Sequence, residues 1–193
     1  MGRIHAPDEH PGGRSGGELE IRRFREPDHD AVWDLHNVAL HAVGAHAGNG
    51  PFDDDLHHVL DTYERDRGEF LVGLLAGRIV AMGALRRRGP DTAEITRMRV
   101  LPGLQRRGFG RVILRRLENR ARELGYRRLV LKTTERQTAA LALYRAEGFV
   151  ETGRAIATYE IEGEISDSVY LALPRGAVLT VDSPAAAGRL GGG

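Results

Sequence analysis

The chain contains no cysteine, and its 193 residues include only one lysine and one tryptophan. The absence of cysteine excludes a disulfide framework, an iron–sulfur cluster, a cysteine-ligated zinc and a cysteine nucleophile. No apolar run approaches the roughly 18 residues that a membrane-spanning helix needs. The first residues also lack the apolar segment of a secretory signal. These absences predict a soluble, cytoplasmic protein that has no membrane partner.

A strong excess of either charge is also missing. Lys and Arg total 28 and Asp and Glu total 27, which leaves a formal net charge of +1. A protein that coats nucleic acid needs a large basic excess, so we expect no nucleic-acid partner. The arginine-rich stretch that begins at Arg106 is the one local exception, and the helix predicted there also carries Glu118 and Glu123.

Both ends of the chain lack hydrophobic periodicity. Residues 1–17 are mainly Gly, Pro, His and charged residues, and residues 174–193 are rich in Gly, Ala and Pro. Such compositions cannot bury enough apolar surface to fold. We therefore predict a disordered leader at 1–17, a single domain at 18–173 and a disordered tail at 174–193.

Strands and helices alternate within the predicted domain. The patterns predict strands at Leu19–Phe24, Phe70–Leu75, Arg78–Leu85, Glu94–Val100, Arg128–Lys132, Phe149–Gly153, Tyr159–Glu162 and Val169–Leu173. They predict helices from Pro27 to about His41 and over Leu56–Arg67, Gly108–Leu124 and Thr138–Glu147. A hairpin at Ala76-Gly77 followed by a strand–helix–strand unit indicates an α/β domain with a mixed sheet.

The loop before the predicted helix at Gly108 has the features of an anion site. The free N–H groups of a helix's first turn and the helix dipole attract phosphate. Gly108 and Gly110 carry no Cβ, so the backbone can approach a bulky pyrophosphate closely. Arg106, Arg107 and Arg111 add positive charge. From the loop alone, a plain turn before an amphipathic helix with solvated arginines explains the pattern equally well.

Two familiar phosphate motifs are absent, namely the P-loop and the dinucleotide glycine fingerprint. The segment Gln105-Arg106-Arg107-Gly108-Phe109-Gly110 instead resembles the acetyl-CoA loop of the GCN5-related N-acetyltransferase (GNAT) superfamily. Downstream, Ala140-Leu141-Ala142-Leu143-Tyr144 and then Gly148-Phe149 resemble a second signature of that superfamily. The order of elements matches over nearly all of residues 18–173. The resemblance implies a GNAT-type domain, whose mixed and mostly antiparallel sheet is flanked by helices.

The resemblance also implies where acetyl-CoA would bind as co-substrate. Backbone N–H groups from Arg106 to Arg111, with Gln105 at the start of the loop, would hold the pyrophosphate. The exposed edge of the preceding strand, at Met98 and Val100, would pair with the pantetheine arm. The Met98 N–H would also face the thioester oxygen. Gln137 stands where many relatives have an asparagine that contacts pantetheine, and its longer amide can make the same contact.

Two residues are implied for catalysis. Tyr144 matches the usual general acid, since a phenol with a pKa near ~10 is protonated at neutral pH; it could equally only orient the sulfur. Glu94 matches the glutamate base of the histone-acetylating branch. By the period of two in a strand, we expect Glu94, Thr96, Met98 and Val100 to share one face of the sheet. Glu94 could instead bind a substrate cation or pair with an arginine such as Arg97, and a water could replace it as the base.

The region before the central hairpin contains histidines and an acidic run. His36, His41 and His46 are spaced by five residues and so fan around a helix, which argues against a metal site. Asp53-Asp54-Asp55 fits a helix N-terminus better than a receptor for a cationic acceptor. In the family this region caps the acceptor site, so residues 43–56 should decide acceptor choice.

The sequence therefore predicts an N-acetyltransferase. It would transfer an acetyl group from acetyl-CoA directly to a primary amine of a small molecule or peptide, without a metal. The alternative is a regulatory domain that binds acyl-CoA without turnover. A homodimer is compatible with the resemblance, but no residue pattern establishes one.

Overall fold

The structure is a computed structural model that describes residues 18–46, 48–161 and 164–174, with the backbone alone for 156–161 and 164–167. The predicted leader at 1–17 lies outside the described residues, and so does the predicted tail from residue 175 onward. Among the described residues, no helix is both long enough and apolar enough to span a membrane.

A seven-stranded mixed sheet forms the centre of the domain. The strands are β1 (Glu20–Arg23), β2 (Glu69–Leu75), β3 (Arg78–Arg87), β4 (Thr92–Val100), β5 (Arg128–Thr134), β6 (Val150–Ile161) and β7 (Glu164–Ala172). Their order across the sheet is β1-β2-β3-β4-β5-β7-β6. Only β4 and β5 run parallel, and every other neighbouring pair is antiparallel. The predicted α/β fold with a mostly antiparallel sheet is confirmed.

Helices cover both faces of this sheet. They are α1 (His29–His41), α2 (Asp54–His57), α3 (Phe109–Glu123) and α4 (Thr138–Ala146), with a π-helical segment at Leu60–Glu64. One core lies between the sheet and α3 and includes Ile95, Ile113 and Leu117. A second core lies on the opposite face beneath α1 and α2, around Leu35 and Tyr63.

The local signals in the sequence located most of the elements. The β2–β3 turn contains Ala76 and Gly77, both with positive φ (50° and 77°), as a tight hairpin turn requires. Gly108 is the left-handed cap before α3. At the other end, Gly125 has a φ of 80° and follows the last helical turn, which confirms the predicted stop.

Two predictions about the elements were wrong. The helix expected over Leu56–Arg67 is interrupted at His58, whose φ of −131° and ψ of 44° are not helical. Its last part winds as a π-helix. The separate strands expected at Phe149–Gly153 and Tyr159–Glu162 are one long strand, β6, with register shifts along its pairing with β7. Each register shift interrupts the alternation of apolar and polar residues along β6, so the sequence pattern predicts two strands instead of one.

A β-bulge in β4 changes which residues face each side of the sheet. Arg97 has a φ of 54°, and the pairing of β3 with β4 shifts by one residue between Ala84↔Thr96 and Met82↔Arg99. As a result Met98 packs toward the α3 core, whereas Arg99 lies opposite Met82, which belongs to the α1–α2 core. The bulge thus separates two groups of β4 side chains that simple alternation would keep together.

Gly83 of β3 makes room for this bulge. A Cβ at this position would lie 2.5 Å from Met98 Sδ, 2.7 Å from Ile113 Cγ2 and 3.1 Å from Leu117 Cδ1. Glycine therefore allows Met98 and α3 to approach the sheet closely.

We expect Gly83→Ala to destabilise the fold by about 1–3 kcal/mol, because overpacking a tight core displaces its neighbours. Gly153→Ala is the matched control, since Gly153 also lies in a strand and its Cβ would meet no atom within 4 Å. Urea unfolding of the two variants and the wild type provides the measurement. Equal midpoints for Gly83→Ala and Gly153→Ala would contradict this account of the packing.

Candidate active site

A cleft of about 520 Å³ opens where β4 and β5 separate. The two strands pair only from Thr92↔Arg128 to Ile95↔Leu131. Beyond Ile95, β4 continues to Val100 along β3, while β5 continues to Thr134 along β7. The end of β4 therefore presents a backbone edge that no strand of the described residues covers, and the N-termini of α3 and α4 and the end of α1 surround it.

The cleft brings together most of the residues predicted for cofactor binding. Its lining includes Met98, Val100, Gln105, Arg106, Gly108, Phe109, Gly110, Arg111, Gln137 and Tyr144. Arg107 is the exception among the predicted cofactor residues, because it is outside the lining and its guanidinium lies 5.7 Å from the centre of the Phe109 ring. Glu94 is also outside the lining.

The N-terminus of α3 supplies the anion site at one end of the cleft. Val112 N–H donates to the Gly108 carbonyl at 3.1 Å, so the N–H groups of Phe109, Gly110 and Arg111 precede the first intrahelical bond. Gly108 has a φ of 88° and open space where a Cβ would lie. These free donors and the helix dipole suit phosphate oxygens.

The arginines near this anion site differ in whether an ion pair holds the side chain. Arg106 lies on the loop with a φ of 61° and an exposed side chain. Arg111 is instead held by Glu147, with 2.6 Å between Nε and Oε1. Arg115 binds the other oxygen of the same carboxylate at 2.8 Å. The prediction that Arg111 charges the loop is thus weakened, although its backbone N–H still faces the site.

The uncovered edge of β4 has backbone groups that point into the cleft and that no other strand of the described residues binds. Leu101 N–H donates to Val80 of β3 at 2.8 Å, so by strand alternation the N–H of Val100 points the other way, toward the opening. Gln105 Nε2 lies 3.4 Å from the Val100 carbonyl. Gln137 caps α4 across the cleft and accepts a bond from Leu141 N–H at 3.0 Å. The space between the edge of β4 and the start of α4 suits an extended chain of amides.

Tyr144 lies in α4 and lines the cleft, although the residue is only 5% exposed. The ring packs against Phe149, with 6.0 Å between centroids. Burial raises the pKa of the Tyr144 phenol to about 12, and the charge of Arg99 opposes this shift. The phenol is therefore a proton donor throughout the neutral range.

The expectation that Glu94 shares a face with Met98 and Val100 was wrong. Glu94 lies opposite Arg86, on the face of the α1–α2 core, whereas Met98 and Val100 pack toward α3. The bulge at Arg97 causes this difference. The Glu94 carboxylate is bound by Arg88 rather than Arg97. Its role as a base stays a prediction.

The predicted acidic run anchors the bulge. Arg97 Nη1 lies 2.8 Å from Asp53 Oδ1, and Arg97 Nε lies 2.8 Å from Asp55 Oδ2. The Tyr63 hydroxyl donates to the same Asp55 carboxylate. Burial would raise the pKa of Asp55, but the hydrogen bond and charge of Arg97 lower it on balance. Both carboxylates are therefore occupied by Arg97, and Asp53 is the N-cap of α2 as the helix-terminus interpretation predicted.

His36 lies in α1 next to this cluster. It is 1% exposed, and its Nε2 lies 3.2 Å from Asp53 Oδ1. Burial, together with the charges of Arg99 and Arg97, lowers the pKa of His36 to about 2, so the ring is neutral. Among the described residues, no group of three or more His, Asp or Glu side chains is arranged to hold a metal ion.

Sequence reasoning did not single out Arg99 or most of the α1 wall of the cleft; only Val43 falls in the region 43–56 that was expected to decide acceptor choice. Ala39 and Leu40 of α1, with Val43 just beyond the helix, form this wall. Arg99 lines the cleft as well, and its Nη1 donates to the Met98 carbonyl at 2.8 Å. An arginine near the end of a half-buried strand is costly to bury, and this feature of the sequence could have marked Arg99 as a functional residue.

Free N–H groups at the start of α3, a left-handed glycine and an uncovered strand edge leading to Tyr144 are features that suit a nucleotide carrying a long amide arm. The chain belongs to the acetyltransferase (GNAT) family, whose model matches residues 29–149. The predicted family membership is thus confirmed.

The relatives agree with this assignment. An IAA acetyltransferase of Azospirillum brasilense is 36% identical over 103 residues, which cover 50% of this chain and 65% of that protein. The ribosomal-protein-S18-alanine N-acetyltransferase of Escherichia coli has 23% identity and a TM-score of 0.67, covering 82% of this chain and 94% of its own. The structure of yncA from Salmonella typhimurium with its cofactor acetyl-CoA has 22% identity and a TM-score of 0.68, covering 88% and 99%. The two structures share the fold with this chain.

We expect Asp55→Asn to destabilise the domain by about 1–3 kcal/mol at pH 7, because it removes one of the two carboxylate charges that pair with the buried guanidinium of Arg97. The native pKa of Asp55 is lowered, so its carboxylate stabilises the fold above the unfolded value near ~3.9 and stops doing so as the pH falls through the native value. The urea stabilities of variant and wild type should therefore converge in acid. Asp61→Asn is the control, because its ion pair with Arg65 is exposed. An equal loss at every pH would contradict the assignment.

Proposed function

We propose that the chain transfers the acetyl group of acetyl-CoA directly to a primary amine of a small molecule or peptide. The observation that supports this most strongly is the continuity of the cleft. It runs from the free N–H groups at the start of α3, along the uncovered edge of β4, to the buried phenol of Tyr144. Family membership and the acetyl-CoA named with the Salmonella typhimurium structure point to the same chemistry.

Different residues of the cleft would bind different parts of acetyl-CoA. The N–H groups of Gly108 to Arg111 and the side chain of Arg106 would hold the pyrophosphate. Met98, Val100 and Gln137 would hold the amide arm. Acetyl-CoA supplies an activated acetyl group as a thioester. The Met98 backbone would then orient the thioester carbonyl, while Arg99 holds the Met98 carbonyl in place.

The reaction needs two proton movements. The amine nitrogen forms a bond to the acetyl carbon while the carbon–sulfur bond breaks, and the sulfur takes the proton of Tyr144. The amine loses one proton, which passes to water or to Glu94. Tyr144 is reprotonated from solvent, so the cycle needs neither a metal nor an acyl-cysteine.

The same phenol favours turnover over the alternative of a regulatory acyl-CoA-binding domain. A domain that only bound acyl-CoA would need no proton donor beside the thioester, yet Tyr144 is buried, protonated and open to the cleft. The cytoplasmic location and the homodimer stay predictions.

Acetyl-CoA should stabilise the protein, because it binds the folded state alone. At 100 times its Kd the gain is about 2.7 kcal/mol, which corresponds to a rise in Tm of about 5–10 °C. Gly108→Glu should abolish this rise, because it places a negative charge at the phosphate site. Gly103→Glu is the matched control: Gly103 is also left-handed, with a φ of 83° and open space around a Cβ. Differential scanning fluorimetry measures both.

The outcomes of this experiment separate binding from strain. Both variants carry the same backbone strain and the same added charge, so only the position differs. Loss of the shift in Gly108→Glu alone supports the assigned loop. Absence of any shift in the wild type at millimolar acetyl-CoA would overturn the proposed function.

Tyr144→Phe should lower kcat by about 100-fold or more, because general acid catalysis contributes that much. Acetyl-CoA binding, measured by the Tm shift, should remain nearly intact. Tyr126→Phe is the control: its buried hydroxyl donates to the Arg67 carbonyl at 2.9 Å, away from the cleft. A thiol-release assay against amino acids, polyamines, aminoglycosides and peptides gives the rates. Unchanged turnover in Tyr144→Phe would exclude the acid role.

A further inference from the structure

Arg99 lines the cleft close enough to Tyr144 for its charge to act on the phenol. The bulge directs it to the α1–α2 face of the sheet, opposite Met82. There it lines the cleft together with Tyr144 and the α1 wall of Ala39, Leu40 and Val43. The anion site at the start of α3 lies at the other end of the loop that follows β4, so Arg99 is positioned beside the reacting end of the cofactor.

Within the described part of the chain, the charge of Arg99 has no ion pair with a carboxylate. Arg97, two residues earlier, is bound by both Asp53 and Asp55. Among the described residues, by contrast, no carboxylate forms an ion pair with Arg99. Its Nη1 donates to the Met98 carbonyl at 2.8 Å, and its Nε is buried with no hydrogen-bond partner.

The rest of the cleft does not compensate this charge either. The described residues that line the cleft include no Asp or Glu. Burial, reinforced by the charge of Arg97 and opposed in part by Tyr144 and Asp53, lowers the pKa of Arg99 to about 10, so the guanidinium remains charged at neutral pH. A half-buried cation without an ion pair costs free energy unless a ligand pairs with it, and planar guanidinium donors match a carboxylate closely.

We propose that Arg99 binds a carboxylate of the acceptor, so that the acceptor is an α-amino acid whose side chain contacts the apolar α1 wall. This inference rests on the proposed function, because it assigns the acceptor of that same reaction. Arg99 determines specificity by holding the carboxylate, while Tyr144 and the β4 edge hold the thioester that the amine on the same carbon attacks. The aliphatic character of Ala39, Leu40 and Val43 favours apolar side chains over charged ones.

The test compares matched acceptors with and without the negative charge. Apolar L-amino acids and their carboxamides are assayed with acetyl-CoA by thiol release, using the full chain. We expect kcat/KM to be about 10–100-fold higher for the acids than for the amides, as charge-assisted recognition allows. In Arg99→Gln the ratio should fall to about one, and any change in the KM for acetyl-CoA cancels because acid and amide are compared in the same variant. Arg99→Lys should retain part of the preference.

A control variant and a binding readout complete the design. Arg116→Gln removes an exposed arginine of α3 outside the cleft lining and should keep the wild-type ratio. In parallel, N-acetyl amino acids and their carboxamides are added to the protein with CoA, and the Tm shifts are compared. The acids should give the larger shift in the wild type and lose this advantage in Arg99→Gln. If that variant does not fold, Arg99→Lys and the wild-type ratios carry the test.

The possible results distinguish this inference from the function on which it depends. A Tm shift with acetyl-CoA but no preference for acids, in turnover or in product binding, would overturn the role of Arg99 and leave the acetyl-CoA site intact. Turnover of polyamines or amides that equals that of the acids would overturn it too. Absence of any shift with acetyl-CoA would overturn the proposed function itself.

Discussion

The bulge at Arg97, clamped by two aspartates, is the interaction on which the site depends. A guanidinium in a central strand is tolerated because Asp53 and Asp55 pair with it, and together these charges hold β4 in a conformation with a positive φ at a non-glycine residue. The bulge bends the strand at the point where its pairing with β5 has already ended at Ile95. The end of that pairing opens the cleft, and the bulge then sets the orientation of Met98 and Arg99 beside it.

The ion pairs of Arg97 with Asp53 and Asp55 also determine which charges near the cleft remain available. Since Arg97 pairs with Asp53 and Asp55, those two carboxylates are not available to a cationic acceptor, and within the described residues they form no ion pair with Arg99. At the other end Glu147 binds Arg111 and Arg115, so the anion site depends mainly on backbone N–H groups. Backbone donors are fixed by the helix and do not lose side-chain entropy on binding, which suits a site for a large cofactor.

The sequence predicted the parts that depend on local signals. Gly108 before a periodic helix, the Ala76-Gly77 turn and the apolar strands were recognisable because each is determined by a few neighbouring residues. The faces of β4 were not, because a bulge changes alternation without any marker in the sequence, and Arg97 is not a residue expected at positive φ. The break of the second helix at His58 and the continuity of β6 likewise depend on tertiary pairing. Tyr144 was found through the resemblance to a family, whereas Arg99 needed the structure.

The described residues that line the cleft include no carboxylate, and this bears on how the amine loses its proton. Glu94 is tied to Arg88, Asp53 and Asp55 are tied to Arg97, and His36 is neutral and outside the lining. A positive charge close to an amine disfavours the ammonium form, as does transfer from water into a partly apolar cleft. An amine held beside Arg99 is therefore poised to lose its proton to water without a strong base. The cation that would recognise the carboxylate of the acceptor would in this way also help to make its amine nucleophilic.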